Sequence, residues 1–120
     1  MNNQNGRCVR YTQQHNDIVE KGVSEILKVL NGTDTQEKES LLFCLDRYLD
    51  PYFKCNLPYA KDIFHVLEEQ LFCPHPIAIK EDILNLLALY CTISLEMLAS
   101  DIDKLEPELT GRAKEVLAYC

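Results

Sequence analysis

The residue types in this chain that could carry out chemistry are six cysteines and three histidines, His15, His65 and His75. A cysteine or serine nucleophile needs a neighbouring histidine base that a third group orients. His15 falls in a polar stretch near the start of the chain. His65 lies opposite the apolar positions of its predicted helix, one turn before Glu69, which is the usual place of a solvated His–Glu pair. We therefore predict that the protein has no catalytic residues and is not an enzyme.

The cysteine spacing does not match a zinc site. No CxxC pair occurs, and the closest pair of metal-ligating residues is Cys73 with His75 in the run Cys73-Pro74-His75-Pro76. A metal site needs three or four ligands, and this loop supplies two. We predict no metal and no cofactor. The alternative is a bundle that binds a metal or a small ligand through Cys55, Cys73 and His75.

The cysteines are expected to be reduced thiols in the cytoplasm. No secretory signal is recognisable at the start, and each cysteine lies in or beside a helical apolar pattern. The most apolar segment, from Ile83 to Leu95, is shorter than the roughly 20 apolar residues that cross a membrane. The sequence therefore predicts a cytoplasmic protein with no membrane contact.

The charge balance indicates which partners the chain can bind. Twelve basic and nineteen acidic residues give a formal net charge of −7. Nucleic acid needs a concentrated positive surface, so the sequence disfavours it as a direct partner. The four glycines are not clustered, so no phosphate-binding loop is predicted. The favoured partner is another protein with a basic surface.

Acidic residues near Pro107 are the first candidates for contacting such a partner. They form an acidic corner if the two helix ends there meet, and they are Asp101, Asp103, Glu106 and Glu108. A purely solubilising role is the alternative. Because these charges repel one another, reversing Asp103 and Glu106 to lysine should leave the stability unchanged or raise it slightly. Other acids, Glu68 among them, are expected on polar helix faces.

Phe43 is the second candidate for contacting a partner. It projects nearly opposite the apolar positions of its predicted helix, which include Leu41 and Leu45. It must either pack against a second helix or stand exposed as a contact point. We therefore place Phe43 with the acidic corner among the predicted partner-binding residues.

Proline and glycine divide the chain into five predicted helices, and no alternating apolar and polar run predicts a strand. The fold class is therefore all-α. The first helix is expected from about Asp17 to Asn31, with Gly32 as its stop. Pro51 should end the second helix, and Pro58 and Pro107 open the third and the fifth. Residues 1–15 are predicted to form a flexible polar tail, and residues 16–120 a single helical domain.

The fourth helix is predicted to be the central one. It should run from near Pro76 to about Leu105, with apolar side chains all round its middle and a bend near Thr92. The core residues that we single out, one on each of three helices, are Leu45, Leu67 and Leu87.

A weak internal repeat suggests how the helices are organised. Leu42-Phe43-Cys44 and Leu89-Tyr90-Cys91 are separated by about 47 residues, as are two similar motifs ending at Cys73 and Cys120, and HEAT repeats have a period of this size. The chain thus resembles a pair of HEAT-like helical hairpins with the first helix as a cap. An irregular helical bundle is the alternative.

Small acidic proteins with HEAT-like helices resemble some bacterial immunity proteins, and this chain shares their size, charge and helix pattern. No specific motif carries that resemblance. It implies a non-catalytic inhibitor that neutralises a partner toxin by covering the toxin's active surface.

Overall fold

The computed structural model describes residues 10–55 and 57–119, and all regular elements within those ranges are helical. The all-α prediction is confirmed, and the described residues form seven α-helices where the sequence predicts five. They are α1 Gln13–Lys21, α2 Val23–Leu30, α3 Thr35–Leu49, α4 Ala60–Gln70, α5 Ile77–Tyr90, α6 Glu96–Asp101 and α7 Pro107–Tyr119. Two short 3₁₀ helices, Pro51–Phe53 and Ile102–Lys104, follow α3 and α6. In the described ranges no helix is both long and apolar enough to cross a membrane.

The predicted first helix is two helices, because the chain turns at Gly22. This residue has φ +117° and ψ −173°, a conformation that residues with a Cβ rarely adopt. The apolar spacing continues across the turn, with Val19 on one side and Ile26 on the other, both buried. Periodicity alone therefore does not reveal the break.

The first helix also begins earlier than predicted, inside the stretch assigned to the flexible tail. Thr12 is its N-cap, and the Thr12 backbone N–H donates to Nδ1 of His15 at 3.0 Å, which completes a capping box. The other nitrogen of His15, Nε2, lies 3.2 Å from Glu37 of α3, and the imidazole is buried. Residues 13–15 are thus helical. Residues 1–9 of the predicted tail lie outside the described residues.

Capping side chains and prolines set the boundaries that the sequence predicts well. Asp34 precedes α3 and accepts a hydrogen bond from the Glu37 backbone N–H at 3.2 Å. That helix ends at Leu49, two residues before Pro51, and α7 begins at Pro107. These signals act within one or two turns, so they can be recognised from the sequence.

The predicted fourth helix ends at Tyr90, and residues 91–95 separate it from α6. The structure therefore has a break near Thr92 where the sequence predicts a bend. Glu68 of α4 caps the N-terminus of α6, because its Oε2 accepts the Leu98 backbone N–H at 2.8 Å. Glu68 is buried, so its predicted place on a polar face is wrong. The reason is that α6 packs against α4 and brings its unpaired N–H groups onto this carboxylate.

The helices form two layers, in which each helix packs beside the helix two places along the chain. The odd layer contains α1, α3, α5 and α7 in that order, and the even layer contains α2, α4 and α6. Neighbours in the odd layer are parallel. Tyr90 at the end of α5 donates to Asp46 near the end of α3, and Lys80 near the start of α5 pairs with Glu106 just before α7.

The core lies between these layers, and α5 is central because it contacts α3, α4 and α7. Leu45, Leu67 and Leu87, the predicted core residues, are fully buried. The apolar character of α5 extends beyond its buried sides, however. Leu89, two residues after Leu87, is 64% exposed.

The two Leu-aromatic-Cys motifs of the sequence repeat do not occupy equivalent places. Leu42 is buried, whereas its counterpart Leu89 is largely exposed. Cys44 lies inside α3, whereas Cys91 follows the last residue of α5. The other pair of motifs includes Cys120, which lies outside the described residues. The helices pack in two layers, but the two copies of the sequence motif do not lie at equivalent positions in those layers.

Candidate functional site

A groove between α3 and α5 is the surface feature that contains Phe43, one of the predicted partner-binding residues. Each helix contributes the i, i+3, i+4 and i+7 positions of one stripe, which are Glu39, Leu42, Phe43 and Asp46 from α3 and Asp82, Asn85, Leu86 and Leu89 from α5. We call it the α3–α5 groove. Its volume of about 170 Å³ is below the roughly 300 Å³ at which small-molecule pockets begin. The groove is therefore smaller than a typical small-molecule pocket.

Phe43 is partly exposed in this groove, so it is not covered by a second helix, which was one of its two predicted alternatives. Its side chain is 48% exposed, and its ring meets Tyr11 edge to face with the centroids 5.6 Å apart. Leu89 forms the opposite wall and is exposed still further. Leu42 and Leu86 form a buried floor between them. Leu89 is not among the predicted site residues, because apolar side chains all round the middle of α5 predict a helix that is covered on several sides.

The polar residues that line the α3–α5 groove are acidic or neutral. Glu39, Asp46 and Asp82 contribute carboxylates, and none of the described residues that line it is basic. Asp46 also accepts the hydroxyl hydrogen of Tyr90, which holds the two helices together at this end. The groove therefore has an apolar floor and walls with carboxylates beside them.

A second groove, between α5 and α7, adjoins the first. Asp82 and Asn85 line both grooves, and Glu108 and Arg112 lie across from them on α7. The Arg112 guanidinium donates to Asn85 at 3.0 Å and to Glu115 at 3.1 Å. Its positive charge is thus balanced within the chain, and the acidic character continues across α5.

The four residues of the acidic corner have different environments. Glu106 accepts two hydrogen bonds from the buried Lys80 Nζ, at 2.9 and 3.1 Å, and these lower the pKa of the Glu106 carboxyl. Asp101 lies 3.7 Å from Lys104, and Asp103 is exposed. Of these four residues, only Glu108 lines a groove, the one between α5 and α7. Because of the contact with Lys80, charge reversal at Glu106 is now expected to lower the stability of the fold.

The three residues of the metal- or ligand-binding alternative, Cys55, Cys73 and His75, do not form a metal-binding group. In the described ranges no group of three or more His, Cys, Asp or Glu side chains could hold a metal ion. Cys55 lines a separate groove beside Pro51–Phe53, and Cys73 Sγ faces the Glu69 carbonyl oxygen at 3.6 Å. The geometry therefore does not support the metal-binding alternative.

His75 instead belongs to a chain of hydrogen bonds that closes one end of the helices. Lys38 Nζ lies 3.1 Å from His75 Nδ1, and His75 Nε2 lies 2.6 Å from Gln70 Oε1. The Gln70 amide then donates to Asn31 Oδ1 at 3.1 Å. An ammonium can only donate, so Nδ1 must accept and Nε2 must carry the proton. The imidazole is therefore neutral, and burial together with Lys38 and Lys80 lowers its pKa.

This arrangement predicts a stability that depends on His75 below neutral pH. The folded pKa of His75 is lowered, so the unfolded chain takes up this proton first. The contribution of His75 is fully present above the ordinary histidine pKa of about 6.5 and is lost as the pH falls from there towards the folded pKa. Between pH 7.5 and pH 5.5, wild type should lose more stability than His75→Gln, which cannot titrate.

The measurement is the free energy of unfolding in denaturant at both pH values, with His65→Gln as the control. His65 lies exposed on α4, so its replacement should leave the wild-type pH dependence in place. An identical pH dependence in His75→Gln and wild type would show that the Lys38–His75 contact does not hold the imidazole neutral.

Among the cysteines in the described ranges, Cys44, Cys55 and Cys73 are free thiols, and Cys91 Sγ lies 3.3 Å from the Ile93 carbonyl oxygen. Burial raises the pKa of Cys44 to about 11, so this thiol is protonated at neutral pH. None of the three histidines lines the α3–α5 groove or the groove between α5 and α7. Neither groove therefore pairs a thiol nucleophile with a histidine base.

Comparisons with protein-family models, with curated proteins and with solved structures find no match to this chain. The chemistry of the α3–α5 groove is therefore the observation that bears on function. Its lining could have been found from the sequence in part. Phe43 projects away from the apolar positions of α3, which the sequence shows, whereas Leu89 lies on a helix that is apolar all round, and such a helix is expected to be covered.

Proposed function

We propose that this protein is a non-catalytic protein-binding module whose docking surface is the α3–α5 groove. The observation that carries the proposal is the combination of two exposed apolar walls, Phe43 and Leu89, with three carboxylates in one groove. Exposed apolar side chains that lie together and are bordered by polar groups are typical of interaction sites. The net charge of −7 favours a partner with a basic surface.

A non-catalytic role is supported by the places of the histidines. His15 and His75 use their ring nitrogens in internal hydrogen bonds, and both serve to join helices. His65 is exposed on α4, away from both grooves. Chemistry in the grooves would have to proceed without a histidine base.

We propose further that the two layers are a short HEAT-like stack of helical hairpins. Packing of each helix against the helix two places away, with parallel neighbours in the odd layer, supports this arrangement. Stacks of this kind present one layer as a continuous binding surface. Here both acidic grooves lie in the odd layer and share Asp82 and Asn85.

Inhibition of the immunity type is the most specific form of the proposal. It is supported by the resemblance in size, charge and helix pattern and by the acidic odd layer. In this form the partner is a toxin with a basic active surface. Its activity should fall when this protein is bound and should recover when the groove residues are changed.

The proposed function predicts that a partner is lost when the groove walls are truncated. Three proteins are immobilised and exposed to the same cell extract. They are wild type, the groove variant Phe43→Ala with Leu89→Ala, and the control variant Tyr119→Ala with Met97→Ala. The control removes two exposed apolar side chains that lie on α7 and α6, outside the groove. We expect at least one protein to be retained by wild type and control and to fall at least about tenfold with the groove variant.

Retained proteins are quantified by mass spectrometry, and the bound partner is mapped by placing a photo-crosslinking amino acid at position 43 and, separately, at position 119. The same set of proteins on all three surfaces would contradict the proposal. Crosslinks from position 119 but not from position 43 would place the binding surface elsewhere.

A further inference from the structure

We propose that the contact between Lys38 and His75 is a pH-sensitive switch. When the His75 imidazole takes up a proton, the contact breaks and the α4–α5 loop, residues 71–76, leaves α3 while the two helical layers stay folded. The inference is independent of the proposed function. It concerns the end of the molecule at which α3 and α5 begin, and neither residue lines the α3–α5 groove or the groove between α5 and α7.

The imidazole is the group that accepts from the Lys38 ammonium. Lys38 is buried, and its Nζ lies 3.1 Å from His75 Nδ1. The ion pairs between described residues give neither Lys38 nor His75 a carboxylate. A protonated imidazole can only donate, so Nδ1 would then point an N–H group at the ammonium. Two positive groups would face each other away from water, and no counterion would offset the cost.

The groups around His75 oppose its protonation. Lys38 approaches from α3 and Lys80 from α5, and α4 supplies the neutral amide of Gln70, 2.6 Å from Nε2. Glu106 is bound to Lys80 Nζ and offsets that ammonium. Burial, followed by Lys38 and Lys80, lowers the pKa of His75 in the closed form. An open loop returns the imidazole to water and to its ordinary pKa, so falling pH favours the open form.

The α4–α5 loop can move without the helices. Leu71 and Ile79 are fully buried anchors at its two ends, and none of residues 72–78 is buried. The two prolines of the loop have no backbone N–H. In the part of the chain that the structure describes, the side-chain hydrogen bonds that join residues 74–76 to α3 and α4 are those of the imidazole. Segments with few buried apolar contacts open at a low free energy, so loss of the Lys38 contact frees the loop without unfolding the core.

Amide hydrogen exchange, followed by NMR on the full chain, shows whether the loop opens by itself. The loop probes are the backbone N–H groups of Cys73 and Ile79, which donate to carbonyl oxygens at the two ends of the loop. The core probes are those of Leu45 and Leu87. We expect the loop probes to be less protected than the core probes and to respond weakly to low guanidinium concentrations. The core probes should respond steeply, because a local opening exposes little surface and global unfolding exposes much.

The same exchange rates at pH 7.5 and pH 5.5, divided by the intrinsic rate at each pH, test the role of His75. The protection of the loop probes should fall at least about threefold on acidification in wild type. It should stay unchanged in His75→Gln, whose side chain can accept from Lys38 but cannot titrate. Lys38→Met should show a smaller fall, because the imidazolium no longer faces an ammonium. The control His65→Gln, at an exposed position of α4, should behave like wild type.

Four outcomes would overturn the inference. Loop probes that equal the core probes in protection and in denaturant dependence would mean that the loop opens only with the whole fold. Constant protection in wild type would show that acid does not open the loop, and an equal fall in His75→Gln would assign the response to another group. An equal fall in Lys38→Met would mean that burial of the imidazole, and not its contact with Lys38, drives the opening.

Discussion

Replacing Leu87 by alanine should lower the free energy of unfolding by about 2–5 kcal/mol, whereas the same change at Leu89 should stay within about 0.5 kcal/mol. The two leucines lie two residues apart on α5, but Leu87 is fully buried and Leu89 is 64% exposed. Truncating Leu87 leaves a cavity between the two layers. Truncating Leu89 removes a side chain that contacts mostly solvent.

The measurement is equilibrium unfolding in guanidinium chloride, followed by far-ultraviolet circular dichroism. Leu45→Ala and Leu67→Ala should behave like Leu87→Ala, because both leucines are fully buried. His65→Ala, on an exposed position of α4, should resemble Leu89→Ala. Similar losses for Leu87→Ala and Leu89→Ala would mean that the α3–α5 groove is closed in solution, and the proposed docking surface would then not exist.

Reversing the charge of Glu106 should be the most damaging surface substitution in the acidic corner. Lys80 Nζ lies within 3.1 Å of both Glu106 oxygens, and only 7% of the Lys80 side chain is exposed. Glu106→Lys would leave this ammonium buried beside a second positive charge. Because the Glu106 side chain is itself 34% exposed, we place the cost at the low end for a broken buried ion pair, about 2–3 kcal/mol.

A double-mutant cycle separates the ion pair from ordinary surface effects. Asp103→Lys is the matched control, because Asp103 is an exposed acid of the same corner, and its cost should be close to zero. Glu106→Gln should destabilise wild type but have little effect when Lys80 is already methionine, because the buried charge is then gone. Equal, small costs for Glu106→Lys and Asp103→Lys would show that Lys80 is hydrated and that the corner serves only solubility.

Local signals explain why much of the helical framework could be predicted from the sequence. Pro107 starts α7, and Asp34 caps α3, because both residues act on backbone groups within one turn. The break at Gly22 was missed because a glycine is tolerated inside a helix, and the apolar spacing continues past it. The turn at Gly22, with its positive φ, lets α1 and α2 contact one another and both contact α3.

The candidate site was only half predictable for a related reason. Helical periodicity showed that Phe43 points away from the apolar positions of α3, but whether another element covers it depends on the rest of the fold. It lies 48% exposed, with Tyr11 against one edge of its ring. Leu89 could not be predicted, because an apolar residue on the central helix is expected to be covered.

By itself the sequence determined the all-α class, the starts and ends of most helices and the burial of Leu45, Leu67 and Leu87, because backbone capping and apolar spacing act over a few residues. Tertiary structure alone decided which charged and polar groups are internal. Glu68 and Lys80 look like surface residues in their own helices but are buried, and His75 is partly buried in its loop. Each is held by groups that lie 5 to 37 residues away in the chain. Glu68 bonds to Leu98, Lys80 to Glu106, and His75 to both Lys38 and Gln70. A buried polar group is tolerated only when such a partner is in place, and that partner is supplied by the packing of helices, which no local pattern encodes.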